Sequence, residues 1–217
     1  MNTLSTGIPI LDRRGGLAVG LNLLIGEPEA DAHHFVFKII LEAIRNKLSI
    51  VYTNIDRSVE EVIDELSRLG CDPEQTEREG LLSFLDLYSL RQKFEVILPR
   101  VLKNAKILVV DSLSSLILPH SQISETQDVL AVLRSVSRSN NLVCLLLAVR
   151  DLHDVKVMAL LKHFCDSVIE FFIKETGQGR MQRFFRVLKM LPYPADLQAY
   201  PFSISAEGII IEEYTRT

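Results

Sequence analysis

Short, nearly all-apolar runs alternate along this chain with longer stretches whose apolar residues recur every three or four positions. Five such runs stand out, at Leu21–Ile25, Ser49–Thr53, Leu81–Leu85, Ile107–Asp111 and Leu142–Val149. A strand that is apolar on both faces needs cover on both faces, so these runs predict parallel strands lying between two helical layers. The intervening stretches supply the helices. Ala32–Asn46 and Val59–Leu69 have helical spacing; Ser58 and Glu61 form a capping-box pattern at the start of the second, and Gly70 stops it. Ser89–Asn104 predicts a further helix, kinked or divided at Pro99 because proline removes an internal hydrogen bond, and Ser124–Ser139 predicts another.

After Asp166 the period shortens. SVIEFFI, RFFRVLKM and GIIIEEY are β-rich runs, separated by the turn-like segments ETGQGR and LPYPADLQAYP. They predict an antiparallel extension of the sheet. No internal repeat, low-complexity tract or linker interrupts the chain, so residues 1–217 are expected to form one α/β domain with a mostly parallel sheet.

Composition narrows the function. With 217 residues, 47% of them hydrophobic, the chain can bury one substantial core. A formal net charge of −4 argues against a general binder of nucleic acid or anionic membrane, since both need a positive field. No apolar run approaches the roughly 20 residues needed to span a bilayer. The start, MNTLSTGIPILDRRGG, lacks a basic segment followed by an apolar core, so a cytoplasmic protein without a membrane partner is expected. Cys71, Cys144 and Cys165 are odd in number and widely spaced, which suggests neither a disulfide framework nor a paired-cysteine metal site.

The segment LNLLIGEPEADAHHFVFKII has the layout of a phosphate-binding loop: an apolar strand, a loop opening on Gly26, then an amphipathic helix. In a working loop of pattern GxxxxGK[ST], backbone N–H groups wrap the phosphates, the lysine reaches the outer phosphates and the hydroxyl ligates magnesium. Here Gly26, Asp31, Ala32 and His33 fall at the defining positions. Asp31 brings a carboxylate where glycine admits the phosphates, Ala32 carries no cation, and His33 is a poor ligand for a hard, oxygen-seeking ion. Glu27 and Glu29 add two more carboxylates. At an effective dielectric of about 20 and about 5 Å, each like-charge repulsion is on the order of 3 kcal/mol, more than the helix dipole returns. A strand-to-helix turn that never bound phosphate is the alternative reading of the loop taken alone.

From Leu4 to Ile211 the sequence resembles the KaiC-like branch of the RecA ATPase superfamily, a branch common among archaeal proteins. STGIPILD at Ser5–Asp12, followed by GGL at Gly15–Leu17, is similar to that family's lead-in STGIPGLDELLGGG, and GEP at Gly26–Pro28 to the start of its GEPGTGKT loop. YTNIDRSVEE at Tyr52–Glu61 is similar to YVTLEESPEE, and AKILVVDSLSSL at Ala105–Leu116 to the Walker B strand. FFRVLKM at Phe184–Met190 and YPFSISAEGIII at Tyr200–Ile211 resemble RTLRVVKMR and YPFEITDEGIVV. The resemblance implies a RecA-like three-layer sandwich with an ATP site between neighbouring subunits of a ring or filament. It also implies losses. The adjacent catalytic glutamates correspond to Asp56 and Arg57, and the subunit-bridging Lys-Met-Arg motif corresponds to Lys189, Met190 and Leu191, without its arginine. Asp111, the magnesium-orienting aspartate, and Ser112 persist.

The expected nucleotide pocket is therefore vestigial: Gly26, Glu29, Asp31, Ala32, His33, Asp111 and Ser112, with Asp56 and Arg57 as remnants of water activation. A retained Asp111 also has a structural explanation, as a cap on the turn through Ser112–Ser114. No metal site is expected at His33 and His34, since adjacent helical residues point about 100° apart. His163 and Cys165 are expected to be a helix-end imidazole and a buried thiol, and His120 and His153 carry no specific signal. Arg180, Arg183 and Arg186, interleaved with Phe184 and Phe185, can be read as a nucleic-acid surface. They can also be read as cations guarding a strand edge.

These observations lead to a catalytically inactive RecA/KaiC-like protein with no cofactor, or only weak ATP and magnesium binding. It would work through contacts with itself or with an active paralogue, and Arg183, Arg186 and Lys189 are candidate interface residues. Two alternatives stay open: an ATPase completed by a partner, and a nucleic-acid-associated recombination paralogue.

Overall fold

The computed structural model describes residues 3–87, 98, 102, 104–119, 122–177, 179–206 and 208–212. A short ribbon of β1 (Thr3–Leu4) and β2 (Leu17–Ala18) brackets α1 (Pro9–Asp12). The main sheet begins with β3 (Gly20–Gly26), followed by α2 (His33–Arg45), β4 (Ile50–Asn54), α3 (Val59–Arg68), α4 (Pro73–Arg78) and β5 (Leu82–Asp86). Then come β6 (Ile107–Asp111), α5 (Leu113–Ile117), α6 (Ile123–Asn140), β7 (Val143–Val149) and α7 (Val155–Phe164). β8 (Ser167–Glu175), β9 (Met181–Met190), β10 (Ala199–Ser205) and β11 (Gly208–Ile211) complete the chain.

Among the described residues, nine strands form one sheet in the order β11-β10-β9-β8-β3-β7-β6-β4-β5. β8, β3, β7, β6, β4 and β5 are mutually parallel, and β9 to β11 extend the sheet antiparallel. Alternation along each parallel strand divides the core in two. Leu24, Val109 and Leu145 pack with α2 and α3 on one face, whereas Leu23, Leu108 and Leu146 pack with α6 and α7 on the other. This is the three-layer α/β architecture that the alternating pattern predicts.

The five predicted strands are all present, within about two residues of their expected ends. At α3 the capping box forms as expected: Glu61 N–H donates to Ser58 Oγ at 3.2 Å, and Ser58 N–H to Glu61 Oε2 at 2.8 Å. The helix expected over 89–104 lies mostly outside the described residues; of those described, Leu98 and Leu102 are buried. The segment LPYPADLQAYP is not wholly a turn, because its last residues open β10. Pro201 sits in that strand opposite Phe184.

One polar side chain ties the central strands together. Asn22 is fully buried in β3, and its Nδ2 donates to the carbonyls of Ala18, Gly20 and Cys144, each at 3.2 Å. Its Oδ1 accepts from Ser167 Oγ at 2.7 Å, so the amide links β7, β3 and β8. Replacing Asn22 by Leu strands the buried Ser167 hydroxyl. The variant should lose roughly 1–3 kcal/mol in urea unfolding, and an unchanged midpoint would show that the staple is dispensable.

Candidate functional site

The carboxyl ends of the parallel strands bring Gly26, Asn54, Asp86, Asp111 and Val149 to one edge of the sheet, where open α/β sheets bind ligands. From Gly26 the chain passes through Glu27, one 3₁₀ turn at Pro28–Ala30 and Asp31 before α2 begins. Gly26 is required by its neighbour, since a Cβ there would lie 2.8 Å from Phe171 Cβ. Asp31 has φ 58° and ψ 59°, the left-handed conformation that favours glycine. The loop thus keeps a bend suited to glycine but fills it with an aspartate, one of the few residues that tolerates it. Among the described residues no side chain caps the start of α2 by a hydrogen bond.

His33, in the first turn of α2, reaches across to β6. Its Nε2 lies 3.0 Å from Asp111 Oδ1, and the Asp111 side chain is completely buried. The other Asp111 oxygen accepts from the hydroxyl of Tyr52 on β4 at 2.5 Å. A buried carboxylate costs several kcal/mol unless it is paired and hydrogen-bonded, and these two donors meet that requirement. Burial pushes the Asp111 acid upward, but the hydrogen bond and charge of His33, with the Tyr52 bond, outweigh burial and leave it lowered. Burial likewise works against the His33 cation, and Asp111 outweighs it, raising the imidazole above its ordinary value. Burial and Asp111 together hold the Tyr52 phenol well above its usual range.

The other expected site residues are spent on their neighbours. Arg57 pairs with Glu65 of α3 at 2.7 Å and lies over the Phe37 ring, and Asp56 accepts from Ser112 Oγ at 2.5 Å. Ser112 also caps α5, accepting from Ser115 N–H at 3.2 Å. The turn-capping role expected for Asp111 therefore belongs to Ser112, because the Asp111 carboxylate points back to His33 and Tyr52. A cavity of ≈ 60 Å³ lies between the loop and β7, lined in part by Gly26, Ala32, His33, Asp56 and Ser112. It has room for a few waters.

The loop carboxylates are not the uncompensated trio expected from sequence. Glu27 holds Arg150 at 3.2 Å and accepts the Ile173 N–H at 3.0 Å, while Asp31 lies 3.1 Å from His34 Nδ1. Burial raises the Asp31 acid, but His34, His33 and Arg183 together leave it lowered. Glu29 is exposed at the rim, and its carbonyl accepts from Arg183 Nε at 3.1 Å. Among the described residues, no group of three or more His, Cys, Asp or Glu is placed to hold a metal ion.

The arginine-rich hairpin also differs from its strand-edge reading. β9 is an internal strand, flanked by β8 and β10. Phe185 is in the core, Phe184 stacks on Phe172, and Arg186 pairs with Glu170 at 2.5 Å. Lys189 closes the end of α7, donating to the carbonyls of His163 at 3.0 Å and Cys165 at 2.5 Å. These three candidate interface cations therefore have partners within their own chain. Burial pushes the Cys165 and Cys144 thiols up to about 12, so both are inert.

A family model described as "ATPase: KaiC" matches residues 4–216. The crystal structure of a KaiC-like protein from the hyperthermophilic archaeon Pyrococcus horikoshii OT3 superposes with a TM-score of 0.84 at 23% identity. The alignment covers 98% of this chain and 99% of that one. A comparison with curated protein sequences gave no match. Among the described residues, no helix is long and apolar enough to cross a membrane.

The His33–Asp111 pair gives stability a definite pH dependence, with Asp31, Arg57 and Tyr52 as the other charged or titratable groups acting on it. A raised His33 contributes fully below its ordinary value of 6.5, and its contribution is lost as pH rises through the higher folded value. A lowered Asp111 contributes above 3.8, and its contribution is lost as pH falls through the lower folded value. The stability gap between the parent and His33→Gln should therefore be widest from about pH 4 to 6.5 and narrow in alkali. Urea unfolding across that range checks it; a gap that stays constant into alkali would mean His33 is neutral throughout.

Proposed function

The chain belongs to the KaiC ATPase family, and we propose that it is a nucleotide-independent member that acts through protein contacts rather than through hydrolysis. The observation that carries this reading is the contact between His33 and Asp111. In phosphate-loop enzymes a magnesium ion stands between the loop hydroxyl and this aspartate, and a lysine reaches the outer phosphates. Here the loop hydroxyl is replaced by an imidazole whose Nε2 takes the aspartate directly, and Ala32 stands where the lysine would be.

The residues present do not fit a magnesium nucleotide. One Asp111 oxygen holds His33 and the other Tyr52, Asp31 puts a carboxylate at the glycine bend, and Asp56 is tied to Ser112. What survives is the uncapped start of α2, worth about 0.3–1 kcal/mol toward an exposed anion. That is too little for affinity on its own. The proposed partner is a second copy of this chain or an active relative, since heterologous faces of such cores close into rings or extend as filaments.

The test is titration of a fluorescent ATP analogue with magnesium into the purified chain. No saturable binding is expected at micromolar protein, and micromolar binding that disappears in Asp111→Asn would overturn the reading. The combination Glu29→Gly, Asp31→Gly, Ala32→Lys and His33→Thr should restore binding but little turnover, because Arg57 and Leu191 still stand at the positions of the second glutamate and the bridging arginine. Full ATPase activity in that variant would show those two positions to be unimportant. Light scattering coupled to gel filtration should give the same mass with and without ATP and magnesium. A monomer that assembles only when nucleotide is added would contradict nucleotide-independent contacts.

A further inference from the structure

The edge of the sheet opposite the phosphate loop carries a larger cavity. It measures ≈ 590 Å³, within the range of small-molecule sites, and lies where β3, β7 and β8 begin and β9 ends. Ala18, Val19, Leu191 and Pro192 form apolar walls. A second cavity of ≈ 270 Å³ shares Val19 and Asn141 with it and extends the space past Leu48 to Lys106.

The polar groups in this space are few and of one effective sign. Asp166 forms the floor and is buried, with both oxygens used: Oδ2 accepts Leu21 N–H at 2.9 Å, and Oδ1 accepts Arg138 Nη2 at 2.8 Å. The Asp166 charge is therefore spent. Arg138 gives that carboxylate one nitrogen and has no second acceptor among the described residues, although a guanidinium has five N–H donors. Its side chain is 58% exposed. Lys106, at the far end, has no carboxylate partner among the described residues, so Arg138, Lys106 and the ionised Asp166 together leave one positive charge in excess. The last carbonyls of α6 oppose an anion weakly, but they are partly satisfied, Ser137 O by Asn141 N–H. Leu191, 50% exposed, offers apolar surface that an aliphatic ligand would cover.

We propose that this cavity binds a small anionic amphiphile, a medium-chain carboxylate whose head meets Arg138 and whose chain lies against Val19 and Leu191. Arginine recognises a carboxylate through two parallel N–H donors, so it can hold a ligand carboxylate beside Asp166. The apolar walls select for a chain, and the one positive charge in excess, with the unused N–H donors of Arg138, selects for an acid over an alcohol. This site is separate from the phosphate loop and does not depend on whether that loop binds nucleotide.

Sodium octanoate, 1-octanol and inorganic phosphate, titrated into the isotope-labelled full chain and followed by amide chemical shifts, test the proposal. Octanoate should give saturable shifts at Val19, Asn141 and Leu191, while octanol and phosphate should each bind at least about tenfold more weakly. Arg138→Gln should weaken octanoate by about tenfold or more. Because that change also disturbs buried Asp166, Leu191→Glu is the second variant; it alters a half-exposed side chain, and it should keep the parent's unfolding midpoint while losing octanoate to a similar degree. Absence of saturable octanoate shifts, equal binding of octanol, or undiminished binding by folded Leu191→Glu would each overturn the assignment.

Discussion

Asp111 is a carboxylate with no access to water, and the candidate site is arranged around keeping it charged. Taking such a group out of solvent costs several kcal/mol unless positive charge and hydrogen bonds meet it. In phosphate-loop enzymes a bound metal ion supplies much of that charge. Here the chain supplies it from its own α2, as an imidazole 3.0 Å away, and adds a phenol from β4 on the other oxygen. The strand, its buried aspartate and the loop can then hold together without a ligand to complete them.

The same self-sufficiency runs along the loop. Glu27 does not wait for a cation from elsewhere: it joins the end of β7 through Arg150 to β8 through the Ile173 amide. Asp31 accepts an unusual backbone bend, with His34 Nδ1 3.1 Å from its carboxylate and its acid held low by His34, His33 and Arg183. Arg57, standing where the resemblance places an acid, packs over Phe37 and pairs with Glu65. The loop is thus fixed between β7 and β8 by contacts within its own chain. Arg186 and Lys189 are likewise drawn into their own chain, so any assembly surface must be built from other groups or must displace these contacts at a cost.

The parallel strands and the larger helices were legible in the sequence because burial on both faces and helical spacing leave unambiguous patterns. α4 leaves no such pattern, because its six residues are mostly polar and too few to show a period. α7 hides its period because its apolar residues crowd together, and β10 hides its strand because its two-residue approach to Pro201 looks like a turn. The loop substitutions could be read directly from their spacing. Their contacts could not: His33 and Asp111 are 78 residues apart, and only the order of β3, β6 and the first turn of α2 makes them neighbours. A histidine following an alanine in a helix carries no local sign of such a partner. The compensation of Glu27 by Arg150 and Ile173 was hidden for the same reason, since 123 and 146 residues separate the partners.

If the His33 imidazole holds the place of a metal ion, it must stay on Asp111 when nucleotide is offered. Nitrogen-15 spectra of the His33 ring, recorded near neutral pH with and without millimolar ATP and magnesium, test this most directly. The expected result is an Nε2 that stays protonated and a ring signal that does not move on addition of nucleotide. A His33 signal that shifts and saturates with magnesium ATP, showing the ring leaving Asp111 to admit the metal, would contradict it.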